Sequence, residues 1–162
     1  MRNTFNVSFP GLGIENLEIN RVAFNVFGMP VYWYGLLISF AVILSLILAQ
    51  KSAKKYGVLP DTVTDTIMLI VPMMLVFARL YYVIFALDEF KGDWLKIFNL
   101  RTGGLAFYGG VIGGILSIVI VSRWRKTSFF RMADLLVVYL PLAQGIGRWG
   151  NFFNQEAFGT NT

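Results

Sequence analysis

The sequence contains no cysteine and no histidine. The absence of cysteine excludes a disulfide framework, thiol catalysis by the protein itself and sulfur-ligated zinc, and the absence of histidine removes the imidazole ligands of zinc. Histidine is also the side chain that most often acts as a general base near pH 7. Any acid–base chemistry in this chain must therefore use other groups.

Charged residues are scarce as well. They make up 14% of the sequence against 56% hydrophobic residues, and the mean hydropathy is +0.63, whereas soluble proteins carry about 25% charged residues. A soluble fold of 162 residues could not bury this much apolar surface, so lipid is the expected solvent. The formal charge of +5 is expected to set membrane topology. Nucleic-acid binding is not expected, because such an excess of positive charge in a membrane protein more often sets topology.

Long apolar segments predict an all-α, polytopic membrane protein that forms one membrane domain over residues 1–162. About 20 apolar residues cross the hydrocarbon core of a bilayer. Segments 29–50, 66–87 and 102–122 reach this length, and the second holds their one charge, Arg79. A fourth segment, 132–147, is a span or a re-entrant segment. The N-terminus lacks the features of a cleaved signal peptide, so the first span is expected to stay as an anchor.

Positive charge is concentrated in the loops after the first and third spans. These loops hold Lys51, Lys54, Lys55, Arg123, Arg125, Lys126 and Arg131. The loop after the second span is balanced in charge. The positive-inside rule therefore places the two basic loops in the cytoplasm and the N-terminus outside. If the fourth segment crosses the membrane, Arg148 also lies at the outer face.

The third span begins in a glycine-rich stretch. Gly109 and Gly113 are four residues apart, and so are Gly110 and Gly114. This spacing is typical of close helix packing through small residues. Room for a lipid head group or a substrate backbone is the alternative, and both can hold together.

Arg79 lies within a span, where a charge usually faces a cavity or a partner. It belongs either to a functional site or to a salt bridge between helices. Asp134 is a candidate partner, although its place just after Arg131 favours a cap at the N-terminus of the fourth helix.

Two tyrosines fall at the same outer level. Tyr34 follows Tyr32 and Trp33 at the start of the first span, where an aromatic interface belt is the simpler interpretation. Tyr108 is predicted to lie about 9 Å deep in the third span, at 1.5 Å per residue, and a buried phenol needs a partner. With Arg79 and Arg148, these side chains come from four segments and predict one site open to the outer leaflet.

Residues 145–150 match G-x-G-x-x-G, but they follow an apolar membrane segment and no strand, so a dinucleotide site is rejected. The overlapping segment 147–159 carries more chemistry. Arg148 has a rigid fork suited to phosphate, Asn151 can orient an ester or a hydroxyl, and Glu156 can accept a proton. In a helix, Arg148, Asn151 and Gln155 would share a face. The alternative is a polar interfacial loop tied by an Arg148–Glu156 pair.

Segment 147–159 closely resembles a signature of the prolipoprotein diacylglyceryl transferases, G-R-x-G-N-F-x-N-x-E-x-x-G, and matches its eight specified positions. Three further motifs agree. Trp33-Tyr34-Gly35 resembles the family's opening motif, residues 78–83 its second-helix arginine motif and residues 103–110 its third-helix motif. The resemblance covers essentially the whole chain.

The resemblance implies an enzyme of the bacterial cytoplasmic membrane that carries out the first step of lipoprotein maturation. The family transfers diacylglycerol from phosphatidylglycerol to the lipobox cysteine thiol of a prolipoprotein, and glycerol phosphate leaves. The implied partners are phosphatidylglycerol, the prolipoprotein lipobox segment and membrane lipid, with no cofactor, no metal and no nucleic acid. The reacting cysteine belongs to the substrate, so its absence from this chain is no objection.

The resemblance also implies roles for matching residues, with Arg148 holding the lipid phosphate. The predicted phosphatidylglycerol-binding residues are Arg148, Asn151, Asn154, Tyr34 and Arg79. The predicted catalytic residues are Arg148, Glu156 and Tyr108. The predicted supporting residues are Asp134, Gly103 and Gly104.

The sequence departs from the family in two ways. Many members carry histidine where this chain has Tyr108, and others carry tyrosine. Because an ordinary phenol is a poor base at neutral pH, Tyr108 is expected to position substrate. The family's chains are also considerably longer, so the C-terminal part of the family fold is expected to be absent. The alternatives are an inactive fragment of the enzyme and a small membrane transporter or scaffold.

Overall fold

The computed structural model describes residues 4–99 and 103–156, and most of them are helical. Three helices in this part of the chain are long and apolar enough to cross a membrane: Trp33–Tyr56, Pro60–Phe85 and Phe107–Trp124. A broken helix pair near the C-terminus makes a fourth if it counts as one span. The predicted helical membrane fold is confirmed. The chain divides into a first unit, Met1–Ile47 with Val138–Thr162, and a second unit, Leu48–Val137.

The first unit begins with four strands that the sequence analysis did not predict. β1 (Thr4–Phe9) pairs antiparallel with β2 (Ile14–Asn20), and β3 (Val22–Val26) pairs antiparallel with β4 (Met29–Tyr32). The β3–β4 turn places Phe27 and Gly28 at positive φ, as two-residue hairpin turns require. Valine and phenylalanine favour these strands. The first span therefore begins at Trp33, and its predicted start at residue 29 is wrong.

Helices α2 and α3 form the body of the second unit. α1 (Trp33–Ser52) leads into it, and α2 (Pro60–Phe85) packs against α3 (Phe107–Trp124). α2 begins earlier than predicted, because a proline in its first turn suits a helix start. α3 begins later than predicted, since residues 103–106 are not helical. Residue 102, the predicted start, lies outside the described residues.

One of the two glycine pairs forms the contact between α2 and α3. A Cβ added at Gly113 would lie 2.5 Å from the main-chain oxygen of Met73, and one at Gly109 would collide with the α2 backbone. A Cβ added at Gly110 or Gly114 would meet its nearest neighbour at 3.6 or 3.8 Å, which is ordinary contact. The close helix packing predicted from the glycine spacing is confirmed for Gly109 and Gly113.

The predicted fourth helix, 132–147, is interrupted. α4 (Phe129–Val137) belongs to the second unit and α5 (Leu140–Asn154) to the first. Pro141 lies in the first turn of α5. A proline there costs nothing, but within a continuous helix it would remove a hydrogen bond and clash with the preceding turn. Asp134 lies inside α4, so its predicted role as an N-cap is wrong because the helix begins at Phe129.

Candidate active site

The helical part of the signature segment ends at Asn154 in a tight turn. Gln155 is left-handed, with φ of 54°, and its N–H donates to the Phe152 oxygen at 3.2 Å. The N–H of Glu156 donates to the Asn151 oxygen at 2.9 Å. These two bonds make a Schellman ending, in which glycine usually takes the left-handed position. The turn brings Glu156 back to Asn154, whose Nδ2 donates to Oε1 at 3.1 Å. Residues 157–159 of the signature lie outside the described residues.

The predicted site residues of α5 occupy two faces. Gly150 faces the first turn of α1, where an added Cβ would lie 2.9 Å from Cδ2 of Tyr34. Arg148 and Asn151, one turn apart, share another face, as three-residue spacing on a helix requires. Gln155 has left the helix, so its predicted place on that face is wrong.

Arg148 is exposed at the surface of α5. Among residues 4–99 and 103–156, no ion pair or hydrogen bond holds its guanidinium. The alternative Arg148–Glu156 pair is not formed among the described residues, and the Glu156 carboxylate accepts from Asn154. The five N–H donors of Arg148 are therefore available for a planar anionic group such as phosphate.

Aromatic stacking holds the end of α5 against the N-terminal residues of the first unit. The ring centroid of Phe153 lies 5.1 Å from that of Trp33, at the start of α1. The ring centroid of Phe152 lies 6.3 Å from that of Phe9, at the end of β1. Aromatic pairs at these distances stabilise a contact beyond the area that they bury. The phenylalanines of the signature thus anchor the segment.

Arg21, which the sequence analysis did not select, joins the end of α5 to the start of α1. Its Nε donates to the main-chain oxygen of Asn154 at 3.1 Å, and its Nη2 donates to the same oxygen. Its own main-chain oxygen accepts the N–H of Trp33 at 3.0 Å. A cavity of about 640 Å³ has polar lining residues Arg21, Tyr32, Tyr34, Ser39 and Asn154. Sequence alone gave no signal for this contact, because Arg21 and Asn154 are 133 positions apart.

In the second unit, Arg79 is buried and uses all five of its N–H donors. They donate, at 2.6–3.2 Å, to the main-chain oxygens of Lys96, Ile97, Asn99, Gly103 and Gly104. The alternative of a salt bridge to Asp134 is wrong, since no carboxylate pairs with Arg79 among the described residues. Carbonyl dipoles balance the buried charge. Arg79 thus organises the loop between α2 and α3, and its predicted lipid contact stays a prediction.

Gly103 and Gly104 are required where this loop passes Arg79. Both are left-handed, with φ of 84° and 74°, which L side chains rarely adopt. A Cβ added at Gly104 would also lie 2.7 Å from Cε1 of Tyr82. They let two carbonyl groups approach the guanidinium, and their predicted supporting role in the site stays a prediction.

Tyr108 lies in the first turn of α3 and is 69% exposed. The prediction that it lies buried about six residues inside the span is wrong, because α3 begins at Phe107. Its ring centroid lies 6.4 Å from that of Tyr81 in α2. Tyr108 and Arg79 thus lie at the same end of the α2–α3 pair.

Each unit gathers part of the predicted site. The first unit holds Tyr34, Arg148, Asn151, Asn154 and Glu156, and the second holds Arg79, Gly103, Gly104, Tyr108 and Asp134. A single site built from all four segments stays a prediction. Within residues 4–99 and 103–156, no group of three or more carboxylate side chains could hold a metal ion.

A family model described as prolipoprotein diacylglyceryl transferase matches residues 21–162. The chain belongs to this family. It is 44% identical over 142 residues to the phosphatidylglycerol–prolipoprotein diacylglyceryl transferase of Oceanobacillus iheyensis. The matched region covers 87% of this chain and 50% of that relative. The protein of the same name from Clostridioides difficile is 44% identical over 144 residues, which cover 89% of this chain and 58% of that relative.

A third diacylglyceryl transferase, from Bacillus cereus, is 42% identical over 142 residues, covering 88% of this chain and 53% of the relative. The chain spans about half the length of the curated relatives it matches. The family match includes every residue of the candidate site and begins at Arg21.

Proposed function

We propose that this chain transfers the diacylglyceryl group of phosphatidylglycerol to the lipobox cysteine thiol of a prolipoprotein, the first step of lipoprotein maturation. The relatives are named for both substrates. The observation that carries the proposal is Arg148, a guanidinium without a partner among the described residues, one turn from Asn151 on an exposed face of α5. Arginine in this setting is suited to a phosphate group.

The reaction forms one C–S bond and breaks one C–O bond. The thiol sulfur attacks the diacylglyceryl carbon that is bonded to the phosphodiester oxygen, and the thiol proton passes to a base. Glycerol phosphate leaves with the electron pair of the C–O bond. This is alkyl transfer, so the developing negative charge lies on the phosphate. Arg148 stabilises that charge with its N–H donors, and the effect of such donors is larger at low dielectric.

The other residues of the first unit fit the two substrates. Glu156 is the carboxylate of the signature segment, and we assign it the thiol proton. Asn151 shares the face of Arg148 and can orient the glycerol of the head group. Asn154 supports Glu156 through its side-chain hydrogen bond. Tyr34 lines the cavity and is placed to contact lipid.

The residues of the second unit support the reaction. All five donors of Arg79 are used by carbonyl groups, so a lipid phosphate could bind it only by displacing the loop. We therefore assign Arg79 to holding that loop, with Gly103 and Gly104. Tyr108 is exposed, and we assign it to positioning substrate. We assign Asp134, in α4, a supporting role.

The proposed setting is a multi-pass protein of the bacterial cytoplasmic membrane with its N-terminus outside. The chain has no cysteine, so a single introduced thiol reports the orientation. With a membrane-impermeant maleimide, Gly11→Cys should be labelled in intact cells, and Lys55→Cys only after permeabilisation. The opposite labelling pattern would show that the N-terminus lies in the cytoplasm and that Arg148 lies at the inner leaflet, which would contradict the proposed topology.

The activity is tested by incubating the purified chain with phosphatidylglycerol and a lipobox peptide and measuring the diacylglyceryl mass shift. A second protein, assayed in parallel, is a chimera in which this chain is joined to the C-terminal half of the Oceanobacillus iheyensis relative. Product from either chain is expected to fall more than 100-fold in Arg148→Ala, because loss of a donor to developing charge costs about 10²–10³ in rate. Arg123→Ala, which removes an exposed arginine of α3, is the matched control. Product from neither chain would overturn the proposal.

A further inference from the structure

Three arginines of the described residues differ in how many of their five N–H donors the protein uses. Arg79 uses all five, Arg148 uses none within residues 4–99 and 103–156, and Arg21 uses two. Arg21 is therefore held in place and still able to donate.

The geometry of Arg21 leaves one edge of its guanidinium open. Nε and Nη2 point at the main-chain oxygen of Asn154, which occupies the side edge of the planar group. The end edge, formed by Nη1 and the second N–H of Nη2, has no acceptor among the described residues. One face is covered by Phe5, whose ring centroid lies 4.5 Å from Cζ. The free edge is the bidentate arrangement that carboxylates and phosphates accept.

The surroundings of Arg21 favour an anion. Its side chain is half-buried and lines the cavity that Tyr34 and Ser39 also line. No carboxylate pairs with it in the part of the chain that the structure describes. A partly buried cation without a counter-ion attracts an anionic group, because burial costs a charge less when it is paired.

We propose that Arg21 is a further binding residue of this site, donating its free edge to the phosphodiester of a bound phospholipid. The identity of that lipid as phosphatidylglycerol rests on the proposed function. The Asn154 oxygen fixes the plane of the guanidinium, and Phe5 keeps one face from water. Arg21 thus meets its ligand already oriented, which lowers the entropy cost of binding.

The test compares two lipids on the 162-residue chain in detergent, with native mass spectrometry as the readout. The probes are phosphatidylglycerol and the diacylglycerol with the same acyl chains, which lacks phosphate. Arg21→Gln should weaken phosphatidylglycerol binding by at least about tenfold, which is the worth of one of the two charge-assisted hydrogen bonds that the free edge can make. Diacylglycerol binding should not change. Arg123→Gln, which removes an arginine outside the site, should change neither.

Equal losses for both lipids in Arg21→Gln would assign Arg21 a structural role and overturn the inference, and so would no loss for phosphatidylglycerol. If Arg21→Gln does not fold, Arg21→Lys keeps the charge and loses the fork. It should show a smaller loss for phosphatidylglycerol and none for diacylglycerol. Binding of inorganic phosphate alone that depends on Arg21 and matches the lipid in affinity would point to free phosphate and contradict the lipid assignment.

The two proposals can fail separately. Binding of phosphatidylglycerol that depends on Arg21, without transfer to a lipobox peptide in either chain, would sustain the binding residue and sink the proposed function. Transfer by a chain whose KM for phosphatidylglycerol is the same in Arg21→Gln would sustain the function and remove Arg21 from the site.

Discussion

Gly150 packs so closely on Tyr34 that a single added carbon at Gly150 would lie 2.9 Å from Cδ2 of the tyrosine ring and 3.7 Å from its Cα. The contact joins α5 to the first turn of α1. It places Tyr34 at the wall of the cavity that Arg21 also lines. The position of the tyrosine ring therefore depends on the absence of a side chain at Gly150.

Gly150→Ala is expected to move the Tyr34 ring and to lower transfer activity at least tenfold, with a modest loss of stability, about 1–3 kcal/mol for an overpacked contact. The activity is measured by the diacylglyceryl mass shift. Gly145→Ala lies on the same helix, and its added Cβ meets nothing within 4 Å. That variant should keep full activity. Equal activity of the two variants would show that the contact between Gly150 and Tyr34 does not affect transfer.

The glycine contact between α2 and α3 predicts a contrast within one helix. Gly113→Ala should destabilise the chain by about 1–3 kcal/mol, because its Cβ would overlap the α2 backbone and force the helices apart. Gly114→Ala should be neutral or stabilising, since its Cβ has room and alanine is favoured over glycine in a helix by about 1 kcal/mol. Thermal unfolding in detergent measures both. A larger loss at Gly114 would mean that the other glycine face packs.

The carbonyl groups that surround the Arg79 guanidinium form a cage that lysine is not expected to fill. They belong to Lys96, Ile97, Asn99, Gly103 and Gly104. Lysine has three donors against five carbonyl groups. Arg79→Lys should therefore lose at least about 3 kcal/mol of stability, because two hydrogen bonds to a charged group are lost at about 1.5–3 kcal/mol each. Trypsin should also cleave after Lys91 and Lys96 faster than in the unchanged chain. Arg125→Lys is the control, because its pair with Asp65 is partly exposed and is worth under about 1 kcal/mol. Comparable effects of the two substitutions would contradict the cage.

The left-handed turn at Gln155 predicts an order of stability. Gln155→Gly and Gln155→Ala both lose the bond from Nε2 to the Phe152 oxygen at 2.6 Å. Gln155→Gly relieves a backbone cost of about 1 kcal/mol or more, whereas Gln155→Ala keeps that cost. Thermal unfolding should therefore place the alanine variant below both the glycine variant and the unchanged chain. An alanine variant as stable as the glycine variant would show that Gln155 is not strained.

The three long spans could be predicted from the sequence, because the length of an apolar segment can be read from the sequence without knowledge of the fold. Helix ends could be placed less well. The hairpin of β3 and β4 depends on pairing between segments, and the break before α5 depends on where a helix must restart to accept Pro141. The hydrophobicity of a local segment shows neither the strand pairing nor the position of the helix break.

The candidate site shows the same division. Arg148 and Asn151 could be placed on one helix face from their spacing, which is local. Arg79 could be recognised as a costly charge, but its partners are main-chain oxygens, which every residue carries, so no side-chain pattern announces them. Arg21 was not selected because its contact with Asn154 exists only once the first unit has folded.

Arg79 is held by carbonyl groups of residues 96, 97, 99, 103 and 104. The spacing of these residues along the chain therefore matters more than the identity of the side chains at Lys96 and Ile97. Main-chain groups make these bonds, so the side chains of Lys96 and Ile97 can be exchanged while the bonds persist. Gly103 and Gly104 cannot, because of their left-handed backbone. A deletion would shift every later carbonyl out of reach. Probes should therefore be attached to the side chain of residue 96, through Lys96→Cys in this cysteine-free chain, and not inserted into the loop.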